Sequence, residues 1–165
     1  MAAALRPMPV EALAAWLEYT SAEYVRERMA EGDSAEYARE RAEESNAQYF
    51  PDGLPAAGQL VFQVVTESAE ADADADADAE VVGVLWIGPM SPRQPGEWWV
   101  FDIEIDRAHR GQGLGRETML LAEREARAHG AVRLGLNVFG HNTVAQRLYA
   151  SLGYETTAMN MAKPL

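Results

Sequence analysis

The 165-residue sequence contains no cysteine and only three histidines. Without cysteine, the chain can form no disulfide framework, no thiolate nucleophile and no thiolate-ligated metal cluster. The three histidines, His109, His129 and His141, lack the spacing of a metal site. The sequence therefore excludes thiol chemistry, and we expect a site without a metal.

Long uncharged runs are also missing. The longest spans residues 53–66 and contains Pro55 and Gly58, so it is too short and too broken for a membrane-spanning helix. Charged residues and prolines interrupt the first twenty residues, which argues against a signal-peptide core. We therefore expect a cytoplasmic protein with no membrane partner.

Basic residues are few: 14 against 26 acidic ones, for a net charge of -12. Such a chain repels a phosphate backbone, so nucleic acid is not an expected partner. Residues 67–80 hold seven of the acids and no base, which leaves a net charge of -5 on the rest. This alanine and aspartate tract predicts a solvated hairpin loop. A calcium loop counted from Asp72 fails, because Ala77 and Gly83 stand where glycine and glutamate are required.

The length and the hydrophobic periodicity predict a single domain over residues 1–165, of the α/β class in its α+β form. Helices are expected over residues 10–29, 33–48, 114–129 and 142–152, and strands over 60–66, 81–87, 97–106, 132–138 and 154–161. The element order is α-α-β-β-β-α-β-α-β. Asp33 and Glu36 have the spacing of a capping box at the start of the second helix.

Side chains alternate along the strand at residues 97–106. The pattern predicts one apolar face and one acidic face, formed respectively by Trp99, Phe101, Ile103 and Ile105 and by Asp102, Glu104 and Asp106. A β-bulge in this strand would change that alternation.

Three glycines, Gly111, Gly113 and Gly115, follow this strand and open the next helix. Their lack of Cβ atoms allows consecutive backbone N–H groups at the helix N-terminus to converge on one anion, as in a phosphate site. The spacing matches neither a Walker A loop nor a dinucleotide fingerprint. The alternative is a tight strand-to-helix turn without a ligand.

Two motifs resemble those of the GNAT acetyltransferase superfamily. The first is Arg110-x-x-Gly113-x-Gly115 directly after a strand, and the second is Asn142 followed by a helix with Leu148-Tyr149 and then Gly153-Tyr154. The resemblance implies the GNAT fold, a mixed and mostly antiparallel sheet of about six to seven strands flanked by helices. It also implies an N-acetyltransferase that transfers the acetyl group of acetyl-CoA directly to an amine.

The resemblance further implies the residues of the site. Those expected to bind the cofactor are Ile103, Ile105, Arg110, Gly111, Gln112, Gly113, Leu114, Gly115, Arg116 and Asn142. Tyr149 occupies the family's general-acid position, with a core aromatic as the alternative. Because an amine must lose a proton before it attacks, a carboxylate near the thioester is expected as base. Glu104 is the first candidate and Asp102 the second, unless both are ordinary solvated or paired acids.

The acceptor is expected to be a small molecule or a peptide, and the protein a monomer or homodimer. A non-enzymatic alternative is an acyl-CoA-binding regulatory module that keeps the glycine-rich turn without productive catalysis. A dinucleotide-binding oxidoreductase is disfavoured by the glycine spacing.

Overall fold

The computed structural model describes residues 2–67, 79–163 and 165. The helices and strands in this part of the chain are β1 Ala2–Pro7, α1 Val10–Ala30, α2 Ala35–Tyr49, β2 Leu60–Glu67, β3 Val81–Pro89, β4 Glu97–Ile105, α3 Leu114–Ala128, β5 Arg133–Leu136 and α4 Thr143–Ser151. The acidic loop predicted at residues 67–80 lies almost entirely outside the described residues. Two compact units are present, one ending at Gly135 and the other Leu136–Leu165.

The strands form one sheet in the order β1-β2-β3-β4-β5, and β1 to β4 pair antiparallel with their neighbours. The predicted β2/β3 hairpin is confirmed. Strand β1 was not predicted, because its residues, three alanines with Leu5, Arg6 and Pro7, have low β propensity. It forms because every one of its residues finds a partner on β2.

The strand predicted at residues 154–161 is wrong. These residues have no regular secondary structure and are mostly exposed. The described residues therefore form five strands, not six to seven, although the fold class is the one expected. A strand is stabilised by packing and by pairing with a neighbour, so a β-rich composition alone does not determine it.

The predicted cap of α2 is also wrong by one residue. Ser34, not Asp33, is the N-cap, and its hydroxyl accepts a hydrogen bond from the backbone N–H of Tyr37. The Asp33 carboxylate instead accepts a hydrogen bond from the guanidinium of Arg28, at 2.5 Å. A residue in the last turn of α1 thus binds the acid that the sequence pattern assigned to the cap of α2.

Helices α1 and α2 pack against one face of the sheet. The core on this side consists of Leu13, Trp16, Phe50, Val61 and Trp86. Trp16 meets Phe50 and Trp86 edge to face, with ring centroids 5.5 and 5.9 Å apart. Helix α3 packs against β1, β3 and β4 and buries Leu114, Met119 and Ala122. Within the described residues, no helix is both long enough and apolar enough to cross a membrane.

Candidate functional site

A β-bulge interrupts β4 at Phe101. Ile87 of β3 pairs with Val100, whereas the preceding residue, Trp86, pairs with Asp102, so β4 has one extra residue. Phe101 therefore lies on the same face as Asp102 and stacks on Trp86, with ring centroids 4.5 Å apart. The prediction that Phe101 shares a face with Ile103 is wrong for this reason.

Asp102 and Glu104 share the face of the sheet that α1 covers, as expected from their spacing. The Thr20 hydroxyl donates a hydrogen bond to Asp102 Oδ2 at 3.0 Å. Burial raises the pKa of Asp102, and the negative charge of Glu104 raises it further. The Thr20 hydroxyl and the nearby Trp16 indole oppose this rise, although Trp16 Nε1 lies outside hydrogen-bond geometry. Asp102 therefore holds a proton more tightly than a solvated aspartate.

Glu104 is more accessible, with a side chain 34% exposed. The Tyr19 hydroxyl donates to its two carboxylate oxygens, at 3.2 and 3.3 Å. Burial raises the pKa of Tyr19, and the adjacent Glu104 charge raises it further. The consecutive α1 residues Tyr19 and Thr20 thus contact Glu104 and Asp102, one carboxylate each.

The sequence contains no signal for this pairing. Neither Tyr19 nor Thr20 belongs to the glycine-rich motif or to the motif around Tyr149. Tyr19 and Glu104 are separated by 85 residues, so their contact depends on how α1 lies across β4. Neither local periodicity nor a motif could have revealed it.

The glycine-rich turn has the geometry of an anion site. Gly111 and Gly113 adopt left-handed backbone conformations, with φ of 80° and 88°, and a Cβ at either would meet open space. Gly113 is the N-cap of α3, without a side-chain cap. Within the described residues, no acceptor is bonded to the backbone N–H groups of residues 111–115. These donors, at the positive end of a helix dipole, fit a pyrophosphate.

Arg110 joins this turn to β4. Its Nε donates to the Ile105 carbonyl oxygen at 2.8 Å, and one terminal nitrogen lies 3.4 Å from Glu104 Oε1. The structure therefore brings the first residue of the glycine-rich motif and the first candidate base together. The Ile105 carbonyl oxygen accepts this hydrogen bond from Arg110, so one of its two lone pairs is occupied. Arg116 is exposed on the first turn of α3.

Strand β5 is much shorter than β4, with four residues against nine. It begins beside Gly96, whose carbonyl accepts hydrogen bonds from Val132 and Arg133. Pairing with β5 can therefore reach only the first half of β4. Ile103 and Ile105, the expected partners of the cofactor arm, lie in the second half of β4.

In the second unit, Asn142 is the N-cap of α4, and its side-chain oxygen accepts a hydrogen bond from the Ala145 backbone N–H at 3.1 Å. Asn142 therefore satisfies one of the free backbone donors at the start of α4. Tyr149 lies on α4, half-buried, with its ring 6.0 Å from that of Tyr154. Val144, on the first turn of the same helix, is exposed.

The described residues include no group of three or more His, Asp and Glu side chains that could hold a metal ion. His109 Nε2 lies 3.5 Å from Glu80, and His129 Nδ1 lies 2.9 Å from the Glu125 carbonyl oxygen. These histidines therefore take part in local contacts.

Comparison with known proteins identifies relatives along the whole chain. The sequence model described as the acetyltransferase (GNAT) family matches residues 34–154. The uncharacterized N-acetyltransferase YycN of Bacillus subtilis is 29% identical over 163 residues, which cover 98% of this chain and 97% of YycN. The crystal structure of YycN superposes with a TM-score of 0.78 at 27% identity, covering 99% of this chain and 98% of that one.

A more distant structure shares the fold. The PaiA N-acetyltransferase of Thermoplasma acidophilum, solved in complex with coenzyme A, superposes with a TM-score of 0.58 at 16% identity. The match covers 97% of this chain and 94% of PaiA. At this identity the likeness shows the fold alone.

Proposed function

Because this chain belongs to the acetyltransferase (GNAT) family and is an acetyl-CoA-dependent N-acetyltransferase, we propose that it transfers the acetyl group directly to an amine in a ternary complex. The observation that carries the proposal is the contact of Arg110 with both Ile105 and Glu104. Through it, a carboxylate able to accept a proton is linked to a turn able to bind a pyrophosphate. The amine thus has a base, Glu104, and acetyl-CoA has an anion-binding turn, both at the end of β4.

The cofactor is held mainly by backbone donors in this proposal. The unpaired N–H groups of residues 111–115 bind the pyrophosphate, and Arg110 and Arg116 add positive charge beside it. The pantetheine arm lies along Ile103 and Ile105, and Asn142 contacts it as well as capping α4. When bound, acetyl-CoA supplies the thioester that is the acetyl donor. The fold shared with the coenzyme A complex of PaiA supports this assignment.

Glu104 is the proposed base. An amine with a pKa of about 10.4 is almost fully protonated at neutral pH, so its proton must be removed for attack to occur. Glu104 is partly exposed and reachable by an incoming amine. Asp102 is more enclosed and bonded to Thr20, which makes it the second candidate.

Tyr149 is the proposed general acid, which donates its phenolic proton to the departing sulfur. Proton transfer from a phenol with a pKa of about 10 to a thiolate whose conjugate acid has a pKa near 8.5 is uphill by only about 2 kcal/mol, and the phenolate regains its proton from water afterwards. The negative charge of Asp102 and Glu104 favours a cationic acceptor, either a small amine or a peptide amine. The cytoplasmic location and the monomeric or dimeric state expected from the sequence remain part of the proposal.

The absence of cysteine makes the test unusually clean. A thiol reagent added to the purified protein reports only released CoA, because the chain itself has no thiol. The protein is incubated with acetyl-CoA and a panel of polyamines, aminoglycosides, amino acids and lysine-containing peptides. Release of CoA with an acetylated product, and intersecting double-reciprocal plots, are expected for direct transfer.

Three other outcomes would contradict the proposal in different ways. Parallel double-reciprocal plots would indicate a covalent intermediate instead of a ternary complex. Tight CoA binding without release on any amine, unchanged by Tyr149→Phe, would favour the regulatory module. Binding of NAD in place of CoA would favour an oxidoreductase. Tyr37→Phe is the matched control, since Tyr37 lies on α2 and contacts Arg28.

A further inference from the structure

Tyr19 is a surface tyrosine whose hydroxyl is committed to one carboxylate. We propose that Tyr19 is a positioning residue that holds Glu104 in the orientation needed to accept the proton of the amine. This inference rests on the proposed function, in which Glu104 is the base. It adds a residue of α1 to a site otherwise built from β4 and the glycine-rich turn.

The geometry supports a directed contact. The Tyr19 hydroxyl is nearly equidistant from the two oxygens of Glu104, at 3.2 and 3.3 Å, so one donor spans the carboxylate. The second donor, a terminal nitrogen of Arg110, reaches only Oε1, at 3.4 Å. Glu104 is therefore held from two sides, by α1 and by the turn before α3. A carboxylate on an exposed strand end would otherwise sample several rotamers.

The next residue of α1 makes the inference more specific. Thr20 donates to Asp102 and Tyr19 to Glu104, so each of the two carboxylates has its own donor. Removing the Tyr19 hydroxyl therefore perturbs Glu104 and leaves the Thr20 contact with Asp102 in place. A change of rate in Tyr19→Phe therefore reports on Glu104 and not on Asp102.

The charged and titratable groups that face Tyr19 and Glu104 are Arg26 on α1, Arg110 before α3, and Asp102 on β4. The rise in the pKa of Tyr19, caused first by burial and then by Glu104, agrees with a shared interaction between the two groups. Loss of the hydroxyl leaves Arg110 as the remaining donor at Glu104.

The test compares Tyr19→Phe with Tyr37→Phe, Glu104→Gln and the double variant Tyr19→Phe/Glu104→Gln. Tyr37 is a matched control, because its exposure of 46% is close to the 49% of Tyr19 and it lies on α2. We expect Tyr19→Phe to lower kcat/KM by about threefold to tenfold, the effect of one hydrogen bond, with Tyr37→Phe unchanged. The double variant should be no slower than Glu104→Gln, because Tyr19 acts through Glu104.

Two readouts distinguish positioning from a merely structural role. The loss in Tyr19→Phe should fall mainly on kcat and leave the KM for the amine nearly unchanged, because a misoriented base slows proton removal without removing a contact to the amine. The ultraviolet titration of the tyrosines should show one phenol ionising at lower pH in Glu104→Gln than in the wild type. Thermal melting of each variant measures any loss of folded protein.

The outcomes separate the inference from the proposed function. If no amine in the panel is acetylated by the wild type, the proposed function fails, and the inference with it. If the wild type is active and Tyr19→Phe matches it in kcat and in KM, only the inference is overturned. Additive losses in the double variant would also overturn it, since Tyr19 would then act independently of Glu104.

Discussion

Alanine at Gly113 is expected to weaken CoA binding, whereas alanine at Gly130 is expected to leave it unchanged. The two glycines lie at opposite ends of α3 and form a matched pair. Their φ angles are 88° and 89°, and a Cβ at either position meets no atom within 4 Å. The cost of alanine is therefore conformational at both sites and not a steric clash with a neighbour.

The stability loss should be the same for both variants. A left-handed conformation costs an alanine about 1–2 kcal/mol, and the lower entropy of its unfolded chain returns about 0.4–1 kcal/mol. The net loss of about 1 kcal/mol corresponds to a fall in Tm of about 2–4 °C for a protein of this size. Thermal melting measured by circular dichroism checks this equality.

The two variants should differ in their affinity for CoA. Gly113 is the N-cap of α3 and lies in the middle of the unpaired N–H groups of residues 111–115. Alanine relieves its strain by a change in φ, which turns these donors away from a common anion. Loss of one hydrogen bond to a charged phosphate raises the Kd by about tenfold or more. Titration calorimetry with CoA measures this.

A wild-type Kd in Gly113→Ala would refute the assignment of the turn as the pyrophosphate site. An equal loss of affinity in Gly130→Ala would show that backbone strain at either end of α3 is enough to weaken CoA binding. In that case the turn would have no specific part in binding.

Two further substitutions test the packing around the site. The pKa of Asp102 is raised above its ordinary 3.8, so the folded state binds this proton more tightly than the unfolded chain does. The stability that the proton contributes is present at low pH and is lost as pH rises from the unfolded-state pKa through the folded-state pKa. Asp102→Asn should therefore have a higher Tm relative to wild type at pH 7 than at pH 4, and an equal difference at both pH values would contradict the rise. The Gln59 side chain accepts from the Trp86 indole at 2.8 Å and donates to the Pro89 carbonyl at 3.0 Å. Gln59→Leu should lower the free energy of unfolding by about 1–3 kcal/mol, since both groups lose a partner, and an unchanged urea midpoint would refute this.

Most of the helices and strands follow from local sequence patterns. Helices α3 and α4 carry clear amphipathic patterns, and Gly32 and Gly130 mark helix ends where a left-handed residue is needed. The strand predictions fail where the strand propensity of a segment disagrees with its pairing to a neighbouring strand. β1 has little strand propensity but pairs with β2 along its length, and residues 154–161 have strand composition but form no regular structure.

The sequence by itself determined the family motifs, the glycine-rich turn before α3 and the spacing of Asp102 and Glu104, because each of these lies within a few residues of chain. Only the tertiary structure decided which groups meet these carboxylates. The bulge at Phe101 exists because β3 and β4 pair out of step by one residue, and Tyr19 reaches Glu104 because α1 crosses β4. Contacts between residues 85 positions apart depend on the packing of whole elements, and no local pattern of side chains records them.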